Sequence, residues 1–92
     1  MGYIVEFLPK AKEHLAAYKK SGNKIALAKI DRIIEELEIH PQIGIGKPEK
    51  MKHKEEEQWS RRIDQKNRMT YIIEDNIVTV TVISAMGHYY DK

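Results

Sequence analysis

Apolar and polar residues along this 92-residue chain change their period twice. Tyr3 to Phe7 (YIVEF) alternates and is rich in β-branched and aromatic side chains, which predicts a strand. From there the period lengthens. Leu8, Ala11, Leu15 and Tyr18 recur at helical spacing, Pro9 sits where a first helical turn tolerates it, and Ser21-Gly22 stops the run. Asn23 can cap a second helix whose stripe is Leu27, Ile30, Ile34 and Leu37, widened by Ala26 and Ile33. His40-Pro41 ends it, because the residue before a proline is pushed out of the helical region. PQIGIGKPEK (41–50) reads as an ordered loop. Period two then returns in Trp59 to Asp64, Arg68 to Glu74 and Ile77 to Ser84, with turns at 64–67 and 74–76. This order predicts one α+β domain over residues 1–92, with an N-terminal strand and two helices packed on one face of an antiparallel sheet.

Strand parity sorts the sheet residues. Trp59 and Ile63 share one face, and Met69, Tyr71 and Ile73 can match it across the turn, so these residues should meet the helices. Arg62 and Arg68 then fall together on the open face. Arg61 takes the helix side and is expected at the edge, its stem packed and its head in water. The sheet should have a dry face and a cationic one.

Composition changes this picture only in part. Hydrophobic residues make up 41% and charged residues 33%, enough for a modest core under a well-solvated surface. The net charge of +2 would not by itself announce a nucleic-acid binder. The distribution matters more: acids gather in the helical half and in Glu55-Glu56-Glu57, whereas the hairpin is basic. With no cysteine, disulfides, thiolate zinc sites and cysteine nucleophiles are excluded together, which fits a reducing compartment. No segment has the pattern of a signal peptide or the ~18 consecutive apolar residues of a membrane helix. The expected location is cytoplasmic.

Four groups could carry chemistry: Glu49 in the loop, Lys52 and His53 just after it, Arg62 and Arg68 on the open face, and His88, Tyr89 and Tyr90 near the end. RNA cleavage without a metal needs a base for the ribose 2′-hydroxyl and an acid for the departing 5′-oxygen. It also needs fixed cations for the charge on the five-coordinate phosphorus, and the planar fork of arginine suits that task. An aromatic ring such as Tyr89 can hold an unstacked base. Each residue also has a plainer reading: a solvated loop carboxylate, solubilising arginines, a frayed tail. His14 and His40 lack metal-ligand spacing and read as surface or capping residues, Trp59 as core, and Glu55 to Glu57 as a solvated loop. GIGK (44–47) is not a phosphate-binding loop, since Pro41 replaces the first glycine and Pro48 follows the lysine.

In combination, GKPEKMKH (46–53), WSRRI (59–63), NRMTYII (67–73) and GHYY (87–90) resemble the YoeB/Txe branch of the RelE-type toxins of bacterial toxin–antitoxin systems, over essentially the whole chain. The resemblance implies a RelE-like fold. It implies a ribosome-dependent mRNA endonuclease that needs no metal or other cofactor, binds the 30S side of the 70S ribosome, cuts mRNA in the A site and so inhibits translation. It assigns Glu49 as general base, His88 as general acid and Arg68 to the transition-state phosphate. Lys52 and Arg62 then bind phosphate, and Tyr89 positions the substrate. It further implies a YefM-like antitoxin as partner, operator DNA reached only through that antitoxin, and a homodimer. The alternative is a non-catalytic binding module of the same fold, either a ParE-like toxin directed at gyrase or a plain RNA binder. Two departures stand out: Tyr90, Asp91 and Lys92 follow the matched tyrosine, and the loop before Trp59 is acidic.

Overall fold

A computed structural model of the chain describes residues 2–52 and 57–87. Strand β1 (Ile4–Phe7) leads into helix α1 (Pro9–Ser21) and helix α2 (Lys24–Ile39). Four more strands follow: β2 (Glu49–Lys50), β3 (Gln58–Arg62), β4 (Arg68–Glu74) and β5 (Thr79–Ser84). They form one sheet in the order β1-β5-β4-β3-β2. The meander from β2 to β5 is antiparallel, as expected. The N-terminal strand joins it in parallel beside β5, so the complete sheet is mixed.

The expected element ends hold for local reasons. Pro9 opens α1, and Gly22 closes it at φ 73, a left-handed turn in which its amide reaches the Lys19 and Tyr18 carbonyls. The Asn23 side chain accepts the Ala26 amide and starts α2. Ala26, Ile30, Ile33 and Leu37 form the buried stripe of α2 and, with Ala11 and Tyr18 of α1, cover Met69, Tyr71, Ile73, Val80 and Val82 of the sheet. Val5 and Phe7, paired with Val80 and Val82, extend that dry face to the edge. Among the described residues no helix is long and apolar enough to cross a membrane.

Three boundaries differ from the pattern. Residues 49–50 form an edge strand where a loop was expected, because the Gly46 carbonyl and Met51 amide bond to β3 on either side of them. β5 starts at Thr79, since Asp75–Ile77 form a 3-10 turn and Val78 is left-handed at φ 51. A bulge at Thr70/Tyr71 sets two β4 residues against Val82, Ile83 and Ser84, which shifts the parity of the end of β5. Ser84 thereby reaches Thr70, their hydroxyls 2.8 Å apart, and Ala85 turns into the core.

Candidate active site

Register brings the site together on the open face. Arg62 and Arg68 are direct cross-strand partners at the mouth of the β3–β4 hairpin. Glu49 pairs with Ser60 on the other side of β3, and Ser60 in turn faces Thr70. Directly opposed residues share a sheet face, so Glu49, Ser60, Arg62, Arg68 and Thr70 lie on one side. Arg62 is exposed, whereas its neighbours Arg61 and Ile63 are buried. Arg68 is mostly enclosed, at 11% side-chain exposure, and its Nη1 lies 4.0 Å from Oε1 of the half-open Glu49. Lys52 is exposed two residues beyond β2. The structure thus groups Glu49 with both arginines and sets Lys52 nearby along the chain. His88 and Tyr89, like His53, lie outside the described residues.

The chain leading to His88 is anchored from two directions. The Tyr18 hydroxyl donates to the Ala85 carbonyl at 2.7 Å, and His14 Nδ1 accepts the Ala85 amide at 3.0 Å. Burial, reinforced by Asp64, pushes the Tyr18 phenol up to about 12, so it keeps the proton it donates. The Gly87 amide donates to Asn67 Oδ1, and the Gly87 carbonyl accepts the Arg68 amide. Asp64 orders that hairpin turn by accepting the amides of Lys66 and Asn67. Burial pushes the Asp64 carboxyl up, but these hydrogen bonds outweigh it and hold the group below its ordinary value. His14 is therefore a tie between helix and strand end. His40 caps α2, as expected.

Arg61 departs from expectation. Its head does not reach water; the whole residue is 0% exposed. Nε donates to the Tyr71 hydroxyl (3.0 Å), Nη1 to Glu36 Oε1 (2.6 Å) and the Ile45 carbonyl (3.3 Å), and Nη2 to the carbonyls of His40 (3.2 Å) and Ile43 (2.9 Å). All five N–H groups have acceptors, which is what allows a guanidinium to leave water. Glu36, one turn before the end of α2, supplies the counter-charge, and sequence spacing alone did not connect it to Arg61. Burial pushes its carboxyl up, yet hydrogen bonds from the Ile45 amide and from Arg61 prevail and hold it below the ordinary 4.5. Burial raises the Tyr71 phenol as well.

Two smaller differences concern β3. Glu57, expected in a solvated loop, is half-buried; its carboxylate accepts Gln42 Nε2 (2.9 Å) and Trp59 Nε1 (3.2 Å), and its carbonyl accepts the Ile73 amide. Glu55 and Glu56 lie outside the described residues. Trp59, expected as core, packs partly buried against it. Ser60 has a buried hydroxyl with no hydrogen-bond partner among the described residues, directly opposite Glu49. A shallow cavity of about 480 Å³ lies instead between α2 and the loop, lined by Ile25, Lys29, Arg32 and Ile45 among others. Its charged lining residues, Lys29 and Arg32, are both cations.

Comparison with known proteins agrees with the fold. The YoeB-like toxin family of bacterial type II toxin–antitoxin systems matches residues 7–89. Toxin YoeB of Mycobacterium bovis is 38% identical over 85 residues, covering 92% of this chain and 96% of that protein. The YoeB dimer from Staphylococcus aureus superposes with a TM-score of 0.80 at 28% identity, covering 95% of this chain and 98% of that one. The toxin of a YoeB–YefM complex from the same organism superposes with a TM-score of 0.77 at 31% identity, with the same coverage.

Proposed function

The chain belongs to the YoeB-like toxins of bacterial type II toxin–antitoxin systems, and we propose that it is a ribosome-dependent endoribonuclease that cuts mRNA in the A site without a metal. The observation that carries this reading is the cluster on the open face: a half-open Glu49 carboxylate 4.0 Å from the enclosed Arg68 guanidinium, with Arg62 directly across from Arg68. Glu49 takes the proton of a ribose 2′-hydroxyl, and the freed oxygen attacks the adjacent phosphorus. His88 gives a proton to the departing 5′-oxygen as the P–O5′ bond breaks, leaving a 2′,3′-cyclic phosphate and a 5′-hydroxyl. Arg68 neutralises the non-bridging oxygens of the five-coordinate phosphorus, where its enclosure strengthens the interaction. Arg62 and Lys52 are open to solvent, so they engage the phosphates of the strand on either side. Tyr89 holds the nucleotide by stacking.

Two partners follow from relatives. The S. aureus YoeB–YefM complex supports a YefM-like antitoxin, whose acidic segment would find a dock on the cationic face, and the S. aureus YoeB dimer supports a homodimer. Operator DNA is reached through the antitoxin. The test is primer extension on an mRNA translated in a cell-free system, with wild type, Glu49→Gln, Arg68→Ala and His88→Ala. Breaks within codons that need ribosomes and vanish in the variants are expected. Intact mRNA with undiminished translation would reject the reading in favour of a non-catalytic binder.

A further inference from the structure

The edge strand that carries Glu49 is only two residues long, too short to hold its own place. What steadies it lies upstream. Residues 40–46 connect α2 to β2, and their main-chain groups converge on one buried cation. Arg61 takes the carbonyls of His40, Ile43 and Ile45. The Tyr71 hydroxyl, itself bonded to Arg61 Nε, donates to the Pro41 carbonyl at 2.8 Å. Glu36 Oε1 accepts both Arg61 Nη1 and the Ile45 amide. Beyond this set, the Gly46 carbonyl accepts the Arg62 amide at 2.6 Å, and three residues later the chain reaches Glu49. The loop is also built around the cation sterically. A Cβ at Gly44 (φ 135) would overlap Glu36 Oε1 and come within 2.9 Å of Arg61 Nη1, and one at Gly46 (φ 80) would lie 2.8 Å from the Arg62 carbonyl oxygen.

We propose that Arg61, with Glu36 and Tyr71, is a positioning residue for the reaction: its buried guanidinium holds loop 40–46 in one conformation and so sets Glu49 against Arg68. Adjacent arginines then divide the labour across the thickness of the sheet. Arg62 works on the open face, and Arg61 holds the loop from the dry face. Arginine is required because five donors in a rigid fork meet five acceptors in fixed directions, which three donors on one lysine nitrogen cannot reproduce. This inference rests on the endoribonuclease reading, in which Glu49 is the base.

The experiment measures single-turnover mRNA cleavage on programmed ribosomes by the full chain, as wild type, Tyr71→Phe, Arg61→Lys and Ile30→Val. Ile30→Val trims the core beneath α2 and serves as the stability control. Tyr71→Phe keeps the ring and removes only the hydroxyl linking Arg61 to Pro41, so it stays informative if Arg61→Lys does not fold. Amide hydrogen exchange at Ile45 and Arg62 is followed alongside. We expect Tyr71→Phe to retain a cooperative melt and half-saturation by ribosomes within twofold of wild type. Its saturated cleavage rate should fall about tenfold or more, and the two amides should exchange faster. Arg61→Lys, if folded, should fall further, and Ile30→Val should cleave like wild type despite a lower melting temperature. Wild-type cleavage with Tyr71→Phe within twofold of it, or a loss no greater than in Ile30→Val at the same folded fraction, overturns the inference alone. Absence of wild-type cleavage overturns the endoribonuclease reading and this inference with it.

Discussion

Arg61 and Arg68 both lie on the strands of one hairpin, yet one serves the fold and the other is the arginine proposed for the reaction. The difference lies in their faces of the sheet. Arg61 meets five protein oxygens on the dry face, whereas Arg68 lies on the open face with its Nη1 4.0 Å from the half-open Glu49 carboxylate. Arg68→Ala should lower single-turnover cleavage by about 10²–10³-fold, the range for removing one preorganised transition-state donor, and Arg68→Lys should recover part of it. Glu36 makes the Arg61 site sensitive to acid. Its carboxyl is held below 4.5 in the folded chain, so its stabilisation is complete above that pH and is lost as the pH falls through the folded value. Urea midpoints should drop below about pH 4.5, and Glu36→Gln, though less stable throughout, should show a flatter profile there. Ser60→Ala removes a buried hydroxyl that has no partner among the described residues, and should raise stability by about 1 kcal/mol in the same assay.

Among the elements, the helices obeyed local rules and the strand ends did not. Asn23 and Gly22 could be read directly, because a cap depends on neighbours three or four residues away. Asn23→Ala should cost about 1 kcal/mol in chemical denaturation. The turn after β4 is different. Val78 is β-branched yet left-handed at φ 51, held there as its amide bonds to Asp75 and its carbonyl to Ile4. Such strain is on the order of 1–3 kcal/mol. The residue is 41% exposed, so burial offsets only part of the strain. Val78→Asn or Val78→Gly should therefore raise the melting temperature by several degrees, since about 1 kcal/mol shifts a domain of this size by roughly 4–8 °C. The bulge in β5 leaves only the adjacent apolar pair Val82-Ile83 as a local trace in the otherwise alternating VTVTVIS. Just beyond it, Tyr18 and His14 of α1 hold the main chain of Ala85, contacts that lie far away in sequence.

For the molecule as a whole, the two helices and the dry face form one cooperative core, with Leu37 fully buried at its centre. Leu37→Ala should cost about 2–5 kcal/mol, a large share of what a single small domain has, and calorimetry should show the entire transition shifting together. The sequence by itself determined the element order, the helix caps, the α+β class and the side of the sheet on which Arg62 and Arg68 fall, because periodicity and capping are written over a few adjacent residues. Its motifs also determined the family. Only the tertiary structure decided that Glu49 stands beside Arg68, that β1 runs parallel to β5, that Arg61 goes inside rather than to water, and that two residues of a glycine-rich loop become an edge strand. Those outcomes depend on hydrogen bonds between groups 10 to more than 70 positions apart. Partners at such separations are fixed by register and packing, which no local pattern carries.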